Sequence, residues 1–227
     1  MEIGATISKE VFDFFNQLIK NNNREWFTTH KSDFKRHETT VKSFFSVLND
    51  AMNKHDQIAK MKMFRIYRDV RFSKDKTPYK THFAASFSRA GAARRGGYYL
   101  CVKPGGSFVA TGFWDPNKED LFRIRKELEM DATSLRDIMA AKKFKNIWGE
   151  LQGEALKTAP KGFDKEHPDI DLIRHKQFIF TRYFDDSIVL SPDFLQTVDA
   201  SFKAIRPYFD YMSMVLTTNL NGESLID

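Results

Sequence analysis

The sequence predicts an α+β fold: a single domain over 1–227, with a core spanning about 7–218, in which an antiparallel sheet of about five strands packs with N-terminal and C-terminal helices. Three observations lead there. Two helical stretches with apolar stripes open the chain. Four stretches of alternating residues follow with no helix between them, the pattern of an antiparallel meander rather than of parallel crossovers. A run of helical stretches then closes the chain around one further strand.

The first helix is predicted over 8–20. Ser8 is placed to cap it, Glu10 lies in its first turn, and Val11, Phe14, Phe15, Leu18 and Ile19 share one stripe. Asn21-Asn22-Asn23 ends it. A longer helix is expected from about 24 to 54, with Phe27, Phe34, Val41 and Leu48 recurring every seven residues. The e and g positions lack regular charge pairing, so a core helix against the sheet is favoured over a coiled coil. His30 and His37 are two helical turns apart, ~10 Å along the axis, too far to share one ion. They are expected to be partly buried structural residues.

The period then becomes two. Residues 62–67, 83–87, 98–102 and 108–112 read as strands, the last two joined by a Pro104-Gly105-Gly106 hairpin. The Gly-rich basic turn from Arg89 to Gly97 is expected to be mobile. Trp114 to Asn117 is a turn with Asp115 or Asn117 as cap. Helices are expected over 117–129, 132–141 and 143–151, a Pro/Gly-punctuated loop over 157–168, and a strand over 177–183. Pro192-Asp193 opens a helical tail that Pro207 breaks or restarts, and residues 219–227 are expected to fray.

Composition narrows the function classes. The chain is 41% hydrophobic and 14% aromatic, with 22 Phe, which is ample for a packed core. No apolar run approaches the ~18 residues of a membrane span, so no membrane partner is expected. Met1-Glu2-Ile3-Gly4 lacks the basic and apolar regions of a secretory signal. Cys101 is the one cysteine. It can form neither an internal disulfide nor a cysteine-based zinc site, and it fits a buried thiol in a reducing, cytoplasmic setting. No cofactor and no metal site is expected. There is no P-loop, dinucleotide fingerprint, nucleophile elbow, H-E-x-x-H or EF-hand loop. Ser73 and Lys76 have the S-x-x-K spacing of lysine-assisted serine hydrolases, but Pro78 works against the required helix and the partner motifs are absent.

Chemistry concentrates between Arg65 and His82. Six cations (Arg65, Arg68, Arg71, Lys74, Lys76, Lys80) face two carboxylates, Asp69 and Asp75, a surplus of four in a chain whose net charge is +6. Arg offers a planar fork for phosphate or carboxylate, and Lys a point charge. Arg68, Arg71, Lys74, Lys76 and Lys80 are therefore the candidate ligand-binding residues. Tyr79, His82 and His167 are the candidates for orienting or proton transfer. In the competing reading, Asp69 and Asp75 pair with their neighbours and merely pin the loop. Arg68 and Arg71 are three apart, so they converge on one anion only if the chain turns near Asp69-Val70.

Two further clusters carry weaker signals. Lys157, Asp164, Glu166, His167 and Asp171 could form an acid/base or carboxylate site, or serve as caps and turns. Tyr98, Tyr99 and Trp114 with Arg89, Arg94 and Arg95 could form a stacking face for single-stranded nucleic acid.

The stretch Arg68-Asp69-Val70-Arg71-Phe72-Ser73-Lys74-Asp75-Lys76-Thr77-Pro78-Tyr79-Lys80, followed by His82, resembles the signature of the domain of unknown function 2461 family. Asn21 to Phe27, Tyr98-Tyr99-Leu100 with Lys103-Pro104-Gly105, Gly112 to Pro116, and Lys157 to Asp164 with His167-Pro168 agree with it. The resemblance runs from about residue 7 to about 210. It implies a compact α+β domain and brings no activity or catalytic residue with it. The residues themselves favour a pocket for an anionic, phosphorylated small ligand at the sheet edge or end. The alternative is a non-catalytic nucleic-acid-binding or protein-interaction module. A concave site where the basic loop meets His167 would mark the first, and an open basic face the second.

Overall fold

A computed structural model describes residues 5–226, so Met1–Gly4, where the absence of a leader was read, and Asp227 lie outside it. The chain is α+β. Its elements in order are α1 (Lys9–Lys20), α2 (Arg24–Thr29), α3 (Lys31–Met52), β1 (Ile58–Met63), β2 (Phe83–Arg89), β3 (Gly97–Val102), β4 (Ser107–Phe113), α4 (Lys118–Met130), α5 (Thr133–Ala140), α6 (Lys142–Trp148), α7 (Ile170–Ile173), β5 (Phe178–Phe184), α8 (Asp186–Val189), α9 (Phe194–Ala204) and α10 (Arg206–Thr217). The strands form one antiparallel sheet in the order β1-β2-β3-β4-β5, the meander expected from strands without intervening helices. Among the described residues no helix is long and apolar enough to cross a membrane.

Contacts divide the chain into two compact units. The first gathers the residues up to Phe87 with Tyr99–Val109 and Tyr183–Ala200. In it Phe27, Phe34, Val41 and Leu48 are all buried, as their spacing predicts. Phe34 and Phe15 both pack on Phe83 of β2, at ring-centroid distances of 5.6 and 4.9 Å. Phe45 meets Phe87 edge-on, and Phe44 stacks on Phe194. His37 is buried beside Phe14, and burial lowers its pKa, so the ring is neutral at pH 7.

The long second helix is interrupted. Asn23 caps α2 by accepting the Trp26 N–H at 2.9 Å, and helix geometry breaks at His30 before α3 begins. The Thr28 and Thr29 hydroxyls donate back to the Arg24 and Trp26 carbonyls. The His30 ring stacks on Trp26 at 3.9 Å. The first strand also lies earlier than its alternation suggests. β1 ends at Met63, and beyond it the chain keeps the Phe64 N to Ala84 O bond and an isolated antiparallel bridge between Tyr67 and Tyr79, made by Lys80 N to Ile66 O and Arg68 N to Pro78 O.

The second unit gathers Ser88–Tyr98, Ala110–Arg182 and the residues from Ser201 onward. Gly112, at φ +121°, lets β4 approach β5: a Cβ there would stand 2.2 Å from the Phe178 carbonyl oxygen. Tyr208 donates to that same carbonyl at 2.9 Å. Asn117 is the cap of α4, accepting the Asp120 N–H at 2.8 Å. Pro207 restarts the helix as α10, standing in its first turn. The Arg89–Gly97 turn is tied down rather than loose. Arg89 donates to the Arg95 carbonyl at 2.7 Å and lies over the Phe209 ring, and Arg95 N bonds Ser213 Oγ at 3.0 Å. The tail also folds back, with Leu225 N bonding Thr217 O at 2.8 Å and Arg123 donating to the Thr218 and Asn219 carbonyls.

Candidate anion site

The first unit carries a cleft of about 520 Å³ whose wall includes Arg68, Tyr79, Lys80, His82 and Lys103. Local sequence explains how each is held. Asn22, in the turn after α1, pairs with Tyr79 in both directions: its Nδ2 donates to Tyr79 O at 2.9 Å, and its Oδ1 accepts Tyr79 N–H at 3.1 Å. An amide side chain has one donor and one acceptor in the spacing of a peptide group, so Asn22 acts as a short edge strand for the loop. The Tyr79 ring stacks on Phe27 at 4.0 Å, and burial raises its pKa. Tyr79 is therefore a fixed wall of the cleft, neutral at pH 7.

Arg68 is anchored through one nitrogen. Its Nη1 donates to Asp75 Oδ2 and to the carbonyl and hydroxyl oxygens of Thr77. Asp75 in turn accepts the Thr77 N–H at 2.9 Å and the Thr77 hydroxyl at 2.8 Å. The Thr77 N–H and then Arg68 hold the Asp75 carboxyl down at about 2. Among the described residues the Nε and Nη2 of Arg68 have no hydrogen-bond partner, so the outer edge of the fork stays open.

Lys80 and Lys103 have no carboxylate partner among the described residues. Burial, and then Arg65, lower the Lys80 pKa, and its ammonium lies 5.5 Å from the centre of the Phe64 ring. His82 starts from an ordinary value near 6.5. Burial, reinforced by the charges of Lys80 and Lys103, pulls it down to about 4. The cleft thus offers three cations, one carboxylate already engaged, and a neutral imidazole. The positive charge at the cleft wall therefore exceeds the negative. The imidazole would gain basicity once an anion offset the lysine charges.

The other predicted residues lie elsewhere. The chain turns after Asp69 as convergence required, with Ser73 N bonding Val70 O, but the two guanidinium groups part company. Arg71 makes a two-pronged pair with Asp69, at 2.9 and 2.6 Å, and its side chain is 77% exposed. Lys76 caps the loop by donating to Val70 O at 3.0 Å, and Lys74 is exposed. Arg71, Lys74 and Lys76 do not line the cleft.

His167 belongs to the second unit, and both ring nitrogens meet backbone: Nδ1 accepts the Asp169 N–H, and Nε2 lies 3.1 Å from Glu129 O. Its neighbours are turn and ion-pair residues. Asp164 accepts the Glu166 N–H, and Asp171 pairs with Arg136 at 2.7 Å. In the Tyr98 and Arg89 cluster, Tyr98 packs under Phe202 and Phe209, the Arg89 side chain is buried, and Arg95 pairs with Asp120. Tyr98, Arg89 and Arg95 are thus taken up within the second unit, whereas Tyr99 follows Tyr98 on the opposite face of β3. Among the described residues no three His, Cys, Asp or Glu side chains gather as metal ligands would.

Lys103 and Asn22 were missed as site residues. Period two along β3 puts Tyr99, Cys101 and Lys103 on one face, which could have found the first. The second depends on a partner 57 positions away and left no local signal.

The loop, the Asn22 turn and the Lys103 hairpin all fall inside one matched region. A family model, described as conserved hypothetical protein (DUF2461), matches residues 10–211. The chain belongs to this family. No curated protein and no solved structure matches it. The DUF2461 match spans both units, so the cleft is part of the family domain and not an appendage to it.

Proposed function

We propose that the cleft of this DUF2461 protein binds a phosphorylated small ligand, with the open edge of Arg68 and the ammonium groups of Lys80 and Lys103 on the phosphate and His82 beside it. The supporting observation is the surplus of positive charge: among the described residues Lys80 and Lys103 have no carboxylate partner, and they stand beside a neutral His82. Like charges held together in a partly buried wall repel, and an anion removes that cost. Arg71, Lys74 and Lys76 act at the loop rather than at the ligand. His82 orients the ligand and accepts a proton from it, while Tyr79 supplies shape.

Calorimetric titration with inorganic phosphate, sulfate and phosphorylated metabolites tests the reading. Lys80→Gln and Lys103→Gln should each weaken binding, and a flat titration of the unaltered protein would overturn it. The pH dependence has a definite sign. The pKa of free His82 is held at about 4, and a bound anion raises it. Between the free and bound values, binding takes up a proton, so affinity rises as pH falls through the bound value and levels off below about 4. Sulfate is the probe for this arm because its own charge stays constant over that range.

A further inference from the structure

In the first unit the sheet face turned away from α1 and α3 carries a row of rings. In the first unit, Phe83 and Phe87 of β2 point to the helices, where they meet Phe15, Phe34 and Phe45. Alternation then puts Ala84 and Ser86 on the opposite face. On β3, Tyr98 packs under Phe202 and Phe209, so Tyr99 looks the other way. On that face, centroid distances of 6.0 Å from Phe64 to Tyr99, 5.7 Å from Tyr99 to Phe108 and 5.6 Å from Phe108 to Tyr183 make a continuous stripe. The small Ala84 and Ser86 leave room for Phe64 and Tyr99 to meet across β2.

Cross-strand ring pairs stabilise any sheet, but this row is not buried as a core row would be. Phe64, Tyr99 and Phe108 are half-buried, and Tyr183 is 70% exposed. One end of the stripe is cationic. The ammonium groups of Lys62 and Lys80 lie 5.6 and 5.5 Å from the Phe64 ring centre, and Lys80 is also part of the cleft wall with Lys103. At the other end, the nearby carboxylate of Asp186 is engaged by the Gly105 N–H. Rings at successive 5.6–6.0 Å steps, with cations at one end, match a partner that repeats flat apolar faces along a chain of negative charges.

We propose that this face binds single-stranded nucleic acid, with bases stacking on Phe64, Tyr99, Phe108 and Tyr183 and backbone phosphates on Lys62, Lys80 and Lys103. Stacking of this kind tolerates any base, because every base has a π-face. The proposal builds on the anion reading of the cleft, which supplies one phosphate contact. Of the aromatics the sequence offered for stacking it keeps Tyr99, and it sets Phe64, Phe108 and Tyr183 in place of Tyr98 and Trp114. A duplex hides its base faces and offers the stripe nothing to stack on.

Fluorescence anisotropy with a labelled single strand of about 12 nucleotides, its duplex and competing inorganic phosphate tests it. Removing a stacking ring costs about 1–3 kcal/mol, so Tyr183→Ala and Phe108→Ala should each weaken strand binding roughly 5- to 150-fold. Tyr183→Phe should bind as the unaltered protein does. Lys62→Gln should lower the salt slope by about 0.7. Should Phe108→Ala fail to fold, the exposed Tyr183 variants decide alone. Three results would overturn the proposal: no strand binding, duplex bound as tightly as single strand, or Tyr183→Ala binding unchanged. Phosphate binding without strand binding overturns this proposal and leaves the cleft standing. Strand binding that depends on Tyr183, with no phosphate binding, supports the stripe and overturns the small-ligand reading.

Discussion

Helix α3 and the loop from Arg68 to Lys80 lie in the same unit, and different forces hold them. Along α3, Phe34, Val41, Phe45 and Leu48 are buried against α1 and the sheet, and the hydrophobic effect sets the register. Along the loop almost nothing apolar is buried except Tyr79. Its order comes from Asp69 on Arg71, Asp75 on Arg68 and Thr77, Lys76 on two carbonyls, and Asn22 on Tyr79. Burial is non-directional and summed over many residues, so a helix tolerates exchange among apolar side chains. The loop's bonds are few and directional, so each residue type there is specific. Arg71 and Lys76 are satisfied within the loop while Lys80, a few residues on, keeps no carboxylate among the described residues, and that difference separates the scaffold from the candidate site.

The largest effect should come from the helix. Phe34 touches Phe27, Phe14 and Phe83. Phe34→Ala should cost about 3–5 kcal/mol in equilibrium denaturation. A loss under about 1 kcal/mol, the range of surface positions, would erase the contrast with the loop.

A second comparison lies inside the loop. Arg68 lines the cleft and Arg71 does not. Arg68→Lys keeps the charge but removes the fork, and a lost charged hydrogen bond costs about 1.5–3 kcal/mol. Phosphate affinity should then fall by about tenfold or more, while Arg71→Lys should leave it unchanged. Equal losses in the two variants would mean that the loop attracts anions diffusely and that the cleft is not the site.

The contrast also explains what could be read in advance. The α3 seam was legible because a seven-residue spacing survives any tertiary context. The interruption at His30 was not, since it goes with the His30 ring turning back onto Trp26, which no apolar spacing records. β1 was misplaced because Lys60 and Lys62 alternate with weakly β-forming Met61 and Met63 on an exposed edge. The internal pairing of Asp69 and Asp75 was legible from local charge. Which cations remained open was not. Arg71 and Lys76 are consumed within six residues of themselves, whereas Lys103 arrives from β3 through the sheet. Charge counting along a chain cannot see either event.

A smaller effect follows from Asp75. Its folded pKa of about 2 lies below the ordinary carboxylate value. The sign is therefore that of a depressed acid. Its contribution to loop order is present above about pH 4, and it is lost as pH falls through 2. Hydrogen exchange at the Thr77 N–H, which donates to Asp75, should show protection persisting at pH 4 and fading near pH 2. In Asp75→Asn that pH dependence should vanish. Protection lost already by pH 4 would mean that the Arg68–Asp75–Thr77 knot is not what orders the loop.

The smallest expected effect is the sharpest test of the comparison. Phe72 sits at the tip of the loop, 97% exposed, with the Arg71 guanidinium over its ring at 6.0 Å. In a segment ordered by burial, a Phe would be the last residue to give up. Here the polar bonds on either side, Arg71 to Asp69 and Lys76 to Val70, close the loop without it. Phe72→Ser should therefore leave the melting temperature and the Thr77 exchange rate where they were, within the ±0.5 kcal/mol of a neutral surface change. A destabilisation larger than that would require the ring to be covered in solution by another surface. The loop would then depend on burial after all, and its order could no longer be assigned to its hydrogen bonds alone.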